Sequence, residues 1–192
     1  MNWPNIITIA RMLLIPIFVI AYVAPWQWSF IVAAAAFTLA AVTDWLDGYL
    51  ARKLNQTTPF GAFLDPVADK LIVVSALILL VATHNNVWLT LPGLIIVGRE
   101  IVITVLREWM AGMNSSIKVA VSTLGKLKTT LQMIAIALLL SQAPDFDNLL
   151  VLIGYVLIYV AAFMTLWSMT VYLIAAWPTL RAGLQDEGRG HN

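Results

Sequence analysis

Six apolar runs of membrane length follow one another along this chain, over about residues 6–23, 28–49, 60–82, 87–110, 119–140 and 149–176. No other feature limits the possible folds so strongly. A bilayer core is about 30 Å thick and a helix rises about 1.5 Å per residue, so about 20 apolar residues suffice to cross it. Of the 192 residues, 61% are hydrophobic and only 11% charged, whereas soluble domains carry about 25% charged residues. The pattern predicts an all-α polytopic membrane protein with six transmembrane helices, and it excludes a soluble or disordered chain. No internal repeat, linker or low-complexity tract interrupts the runs, so residues 1–192 read as a single membrane domain. The first run has no small-residue cleavage site after a short apolar core, and is read as a retained helix.

The basic residues orient these helices. They are Arg11, Arg52, Lys53, Lys70, Arg99, Arg107, Lys118, Lys126, Lys128, Arg181 and Arg189. The connections after the first, third and fifth runs contain none of them. By the positive-inside rule both termini lie in the cytoplasm. Trp26, Trp28 and Trp88 then mark the outer interface, and Trp3, Trp109 and Trp177 the inner one. The formal net charge is +1, which gives no reason to expect a nucleic-acid partner. The absence of cysteine excludes disulfides, thiolate metal sites and cysteine catalysis.

Against this background the second and third helices carry four aspartates, Asp44, Asp47, Asp65 and Asp69. A carboxylate in the bilayer costs at least about 2.5–3.5 kcal/mol, so such residues need a purpose. Asp44, Asp47, Gly48, Ala51 and Arg52 share one helical stripe, and Gly61, Asp65 and Asp69 step by four along another. A short connection makes the two helices antiparallel neighbours. Asp44 then lies ~12 Å and Asp69 ~15 Å in from the cytoplasmic side, so the carboxylates can converge on one cavity. Four close carboxylates repel one another unless cations intervene, and Lys70 with Arg52 cannot balance them. Hard divalent ions, Mg²⁺ or Mn²⁺, resolve the conflict, and metals paired in this way clamp phosphate oxygens. The glycines leave room for a ligand but also suit plain helix packing. Arg52 can hold phosphate, whereas Lys53 reads as a topology signal and Lys70 as a partner for a carboxylate of a neighbouring helix.

Residues 44–69, DWLDGYLARKLNQTTPFGAFLDPVAD, fit the pattern D-x2-D-G-x2-A-R-x8-G-x3-D-x3-D at every fixed position. The chain thereby resembles the CDP-alcohol phosphotransferases. That resemblance implies six helices, a homodimer and an active-site cavity at the cytoplasmic membrane interface of the inner membrane. It also implies that Asp44, Asp47, Asp65 and Asp69 hold two divalent metal ions, with Asp69 serving in addition as general base. Asp44, Gly48, Ala51, Arg52 and Thr58 would bind the CDP moiety. An alcohol would attack the β-phosphorus of a CDP-linked lipid and release CMP.

The pattern leaves the acceptor open. An acceptor that carries its own phosphate needs further cations, and the fourth and fifth helices offer Arg99, Arg107, Lys126 and Lys128. The alternative for the two arginines is pairing with Glu100 and Glu108 or reaching toward lipid headgroups. Lys126 and Lys128 point about 200° apart on an ideal helix, so both meet one ligand only if the backbone departs from ideality. The segments MNWPNIITIARMLLIP, AVTDWLDGYLAR, GREIVITVLREWMA and GKLKTTLQMIA are similar to those of bacterial members that use glycerol 3-phosphate, and LWSM (166–169) is compatible. The resemblance therefore implies transfer of the phosphatidyl group of CDP-diacylglycerol to glycerol 3-phosphate, yielding phosphatidylglycerophosphate and CMP. Two other readings compete. Another acceptor within the family would make the chain a phosphatidylserine or cardiolipin synthase. A cation or proton transporter would explain the aspartates, yet it requires polar groups in the outer halves of the helices, which are nearly all apolar.

Overall fold

A computed structural model of the chain describes residues 3–54, 59–112 and 123–189. Six helices follow in order: α1 (Trp3–Val23), α2 (Ser29–Leu54), α3 (Pro59–His84), α4 (Val87–Gly112), α5 (Thr123–Leu140) and α6 (Leu149–Arg189). The described residues contain no strand. Each apolar run falls mainly on its own helix, residues 119–122 of the fifth lying outside the described residues. Three stretches are long and apolar enough to cross a membrane: Pro66–His84, Val87–Met110 and Leu149–Pro178. The apolar stretches of the other helices, Ala10–Val23, Ser29–Thr43 and Leu127–Leu140, are shorter within the described residues.

The last helix departs most from the sequence reading, which ended it near residue 176. It runs on through Pro178 to Arg189. Apolar content determines where a membrane span stops, not where a helix stops. Proline removes one backbone donor and crowds one carbonyl, which bends or strains a helix without always ending it.

α1 packs on α2 and α3, α2 also packs on α3, α4 packs on α3 and α6, and α5 packs on α2, α3 and α6. α3 therefore borders four of the other helices. Its inward side chains Ile72, Leu77 and Leu80 join Phe18, Phe37, Leu89, Ile96, Ile136 and Ile158 in the main core. Alanines at 33, 34, 40, 76 and 135 are buried there too and let the helices approach closely. Outside, large apolar side chains such as Ile20, Ile78, Leu94, Val156, Phe163 and Ile174 are exposed along their helices. Exposed apolar surface on this scale requires a nonaqueous neighbour, and a bilayer supplies one.

A tight turn joins α3 to α4. Asn85 adopts a left-handed backbone conformation (φ 44°), which asparagine tolerates better than most residues. Asn86 then caps α4, its Oδ1 accepting from the Leu89 amide at 2.9 Å. The Asn86 Nδ2 donates to the Tyr155 hydroxyl at 2.8 Å. That hydroxyl also shares a hydrogen bond with His84 Nδ1 at 2.9 Å. The α3–α4 corner is thus tied to α6, and the Tyr22–Thr83 hydrogen bond (3.0 Å) ties α1 to α3 close by.

Candidate active site

The acidic pattern occupies two adjoining helices. Asp44, Asp47, Gly48, Ala51 and Arg52 lie on the helical backbone of α2, and Gly61, Asp65 and Asp69 on that of α3. Pro66, between the last two aspartates, is accommodated inside α3. Asp69 is the one of the four aspartates whose side chain is described, and it is half-buried. Thr58 lies outside the described residues, and of Asp44, Asp47, Gly48, Ala51, Arg52, Asp65 and Lys126 only the backbone is described.

Asp69 borders three adjoining cavities. The first, about 290 Å³, lies between α3, α4 and α5 and brings Asp69 together with Lys70, Arg99, Arg107, Lys128 and Gln132. The second, about 350 Å³, opens between α3 and α4 past Pro66, Ile103 and Thr104 and shares both arginines. The third, about 460 Å³, lies between α2 and α5 and is walled mainly by Phe37, Ala41, Val42, Met133, Ile134 and Ala137. One carboxylate therefore stands where a cationic cavity meets an apolar one.

The cationic cavity sets four positive side chains against the carboxylates of Asp69 and Glu100. Like charges so close must be compensated or they destabilise the fold. Glu100 does part of this. Its Oε1 accepts from Arg99 Nη1 at 2.6 Å and lies 3.6 Å from Lys128 Nζ. α6 contributes as well: Ser168 Oγ accepts from Arg99 Nη2 at 3.2 Å, and the Arg107 guanidinium lies 5.5 Å from the Tyr172 ring centroid. Lys70 Nζ donates to Thr104 Oγ1 at 2.5 Å, and that hydroxyl donates to the Glu100 carbonyl at 2.6 Å. These contacts hold the cations in place along the cavity wall. Such an arrangement suits a tetrahedral oxyanion, which takes several charge-assisted hydrogen bonds at once.

Three of the four cations proposed for an acceptor phosphate, Arg99, Arg107 and Lys128, are thus gathered around one cavity. The alternative of Arg99–Glu100 pairing also occurs, and it coexists with the cavity. Lys70 joins the same wall. The sequence reading missed Glu100 as a bridge, Ser168 and Tyr172 as supports, and Gln132 as a lining residue. A signal existed for each: these are polar or charged side chains set in apolar helices. Arg11 is a further case, fully buried on α1.

A family model for CDP-alcohol phosphatidyltransferase matches residues 1–176, which include the acidic pattern and the arginines and lysines of the cationic cavity. The chain belongs to the CDP-alcohol phosphatidyltransferase family. Individual members of that family are very similar to it. It is 54% identical over 188 residues to the CDP-diacylglycerol–glycerol-3-phosphate 3-phosphatidyltransferase of Pseudomonas fluorescens, covering 97% of this chain and 96% of that protein. A protein of the same name from Haemophilus influenzae is 49% identical over 184 residues, with 96% and 98% covered. That of Escherichia coli (strain K12) is 49% identical over 186 residues, with 97% and 98% covered.

Proposed function

We propose that this member of the CDP-alcohol phosphatidyltransferase family moves the phosphatidyl group of CDP-diacylglycerol to sn-glycerol 3-phosphate, releasing CMP and phosphatidylglycerophosphate. The observation that carries this reading is the cationic cavity of Arg99, Arg107 and Lys128 beside Asp69. An acceptor with its own phosphate would occupy such a cavity, whereas serine, a zwitterion without net negative charge, would balance its cations far less well. The apolar cavity on the other side of Asp69 supports a lipid donor. The names of the relatives from Pseudomonas fluorescens and Haemophilus influenzae agree with both substrates.

In this reading the phosphate of glycerol 3-phosphate rests on Arg99, Arg107 and Lys128, with Lys126 as a further contact. Its free hydroxyl comes to Asp69, whose carboxylate takes the proton. The hydroxyl oxygen forms a bond to the β-phosphorus of CDP-diacylglycerol, and the bond from that phosphorus to the CMP oxygen breaks with its electron pair. Asp44, Gly48, Ala51, Arg52 and Thr58 hold the CDP moiety.

Among the described residues no three His, Asp or Glu side chains form a cluster able to hold a metal, and three of the four aspartates have side chains outside that set. The donor set nevertheless fits hard divalent ions, because it consists of carboxylate oxygens on two adjoining helices. Asp44, Asp47, Asp65 and Asp69 would hold two Mg²⁺ or Mn²⁺ ions. When bound, these ions neutralise the diphosphate and ease departure of CMP.

The protein is further proposed to be one domain over 1–192 that crosses the cytoplasmic (inner) membrane six times, both termini and the site facing the cytoplasm, and to act as a homodimer. The experiment is to supply purified protein with CDP-diacylglycerol, Mg²⁺ or Mn²⁺ and single acceptors, and to measure CMP release. Glycerol 3-phosphate is expected to support release. Turnover with serine or phosphatidylglycerol, and none with glycerol 3-phosphate, would overturn the reading.

A further inference from the structure

One wall atom of the cationic cavity, a carbonyl oxygen, cannot be served by a phosphate dianion. Gln132 is 4% exposed, lines the cavity together with Arg99, Arg107 and Lys128, and holds its buried Oε1 without a hydrogen-bond partner. Leaving a buried carbonyl unpaired costs about 1–3 kcal/mol, so its retention there calls for a ligand that satisfies it. The neighbouring groups do not. The Thr129 hydroxyl, also on this wall, donates to the Gly125 carbonyl at 3.1 Å. The Arg99 and Lys128 charges are drawn to Glu100. A phosphate dianion accepts hydrogen bonds and has no proton to offer, so it can accept from the Gln132 amide nitrogen but cannot serve Oε1, whose partner must be a different part of the ligand.

Lys128 and Gln132 are separated by four residues on α5, so they share a face one turn apart, about 6 Å along the axis. That separation matches a small molecule with an anionic end and a hydroxyl a few bonds away. Resting on the glycerol 3-phosphate reading above, we infer that Gln132 is a specificity-determining residue that hydrogen-bonds the non-reacting hydroxyl at C2 of the acceptor. The phosphate rests on the cations, the reacting hydroxyl approaches Asp69, and the remaining hydroxyl donates to Gln132 Oε1. The assignment takes the amide in the orientation found, with Oε1 as the atom left unpaired. Sites built to hydrogen-bond a substrate hydroxyl reject analogues that lack it far more strongly than sites that only pack against it.

The test compares glycerol 3-phosphate with 3-hydroxypropyl phosphate, which keeps the reacting hydroxyl and the phosphate and lacks the C2 hydroxyl. Purified full-length protein in lipid micelles is assayed for CMP release with each acceptor, as wild type and as Gln132→Met. Wild type is expected to favour glycerol 3-phosphate by about 10-fold or more in kcat/KM. Gln132→Met is expected to lower kcat/KM for glycerol 3-phosphate by a similar factor and to leave the deoxy acceptor nearly unchanged, so that the preference collapses. Equal use of both acceptors by wild type overturns the inference without any variant. So does a Gln132→Met protein that loses both activities in equal proportion, since that marks a packing role. If Gln132→Met does not fold, Gln132→Asn withdraws the amide by one methylene and is read the same way. Wild type that uses neither phosphate but releases CMP with serine refutes the glycerol 3-phosphate reading itself, an outcome distinct from failure of Gln132 alone.

Discussion

The guanidinium of Arg107 on α4 lies 5.5 Å from the centroid of the Tyr172 ring on α6. Tyr172 is buried with Ile103, Met110 and Ala176 in a small second core that clamps α4 to α6. The ring thus fixes a cation that also borders the two cavities beside Asp69.

Such cation–π contacts contribute about 0.5–2 kcal/mol. Tyr172→Leu is therefore expected to raise the KM for glycerol 3-phosphate about two- to tenfold, with the KM for CDP-diacylglycerol unchanged, while Tyr172→Phe keeps the ring face and stays near wild type. Arg107→Ala is expected to raise the acceptor KM further. Steady-state kinetics with each substrate varied in turn separates these effects; equal changes for both substrates would contradict an acceptor-specific Arg107.

Glu100 bridges Arg99 and Lys128 through one oxygen. Replacing it by Gln leaves those cations and Arg107 facing one another without that carboxylate. Breaking a partly buried pair in this way is expected to lower the thermal midpoint by about 3–8 °C. Glycerol 3-phosphate or inorganic phosphate is expected to recover part of the loss, because an anion that binds only the folded state stabilises it by mass action. Thermal unfolding in detergent, with and without phosphate, checks both parts.

The close approach of α5 and α6 supplies another test. A Cβ at Gly154 would lie 2.7 Å from Leu139 Cγ and 2.8 Å from its Cδ2, and Leu139 is itself fully buried. Gly154→Ala is expected to cost about 1–3 kcal/mol through overpacking, read as a lower thermal midpoint. Gly98 has no such neighbour within 4 Å. Gly98→Ala is expected to hold stability or raise it by up to about 1 kcal/mol, as alanine does in a helix.

Much of this architecture was legible in the sequence because apolar run length and helix periodicity are local properties. The six helices followed from the runs, and Arg99, Arg107 and Lys128 were identifiable as costly charges in apolar surroundings. What the sequence did not reveal depends on contacts between distant segments. Periodicity puts Arg99 and Arg107 about 80° apart on α4, but it does not say that α6 offers Ser168 to one and Tyr172 to the other. Gln132 was present in the GKLKTTLQMIA segment, yet its unpaired carbonyl emerges only once Arg99 and Glu100 of α4 are packed opposite α5. The continuation of α6 to Arg189 was hidden for a different reason: its last turns are polar, and hydropathy marks the end of a span rather than the end of a helix.

The most direct test of the central claim is a competition in one vessel. Purified protein receives CDP-diacylglycerol, Mg²⁺ and equal concentrations of glycerol 3-phosphate, serine and phosphatidylglycerol, and the product lipids are identified by mass. The cationic cavity beside Asp69 predicts phosphatidylglycerophosphate as the dominant product, and its loss in Asp69→Asn protein that remains folded. A dominant phosphatidylserine or cardiolipin product, or an undiminished rate in Asp69→Asn, would contradict it.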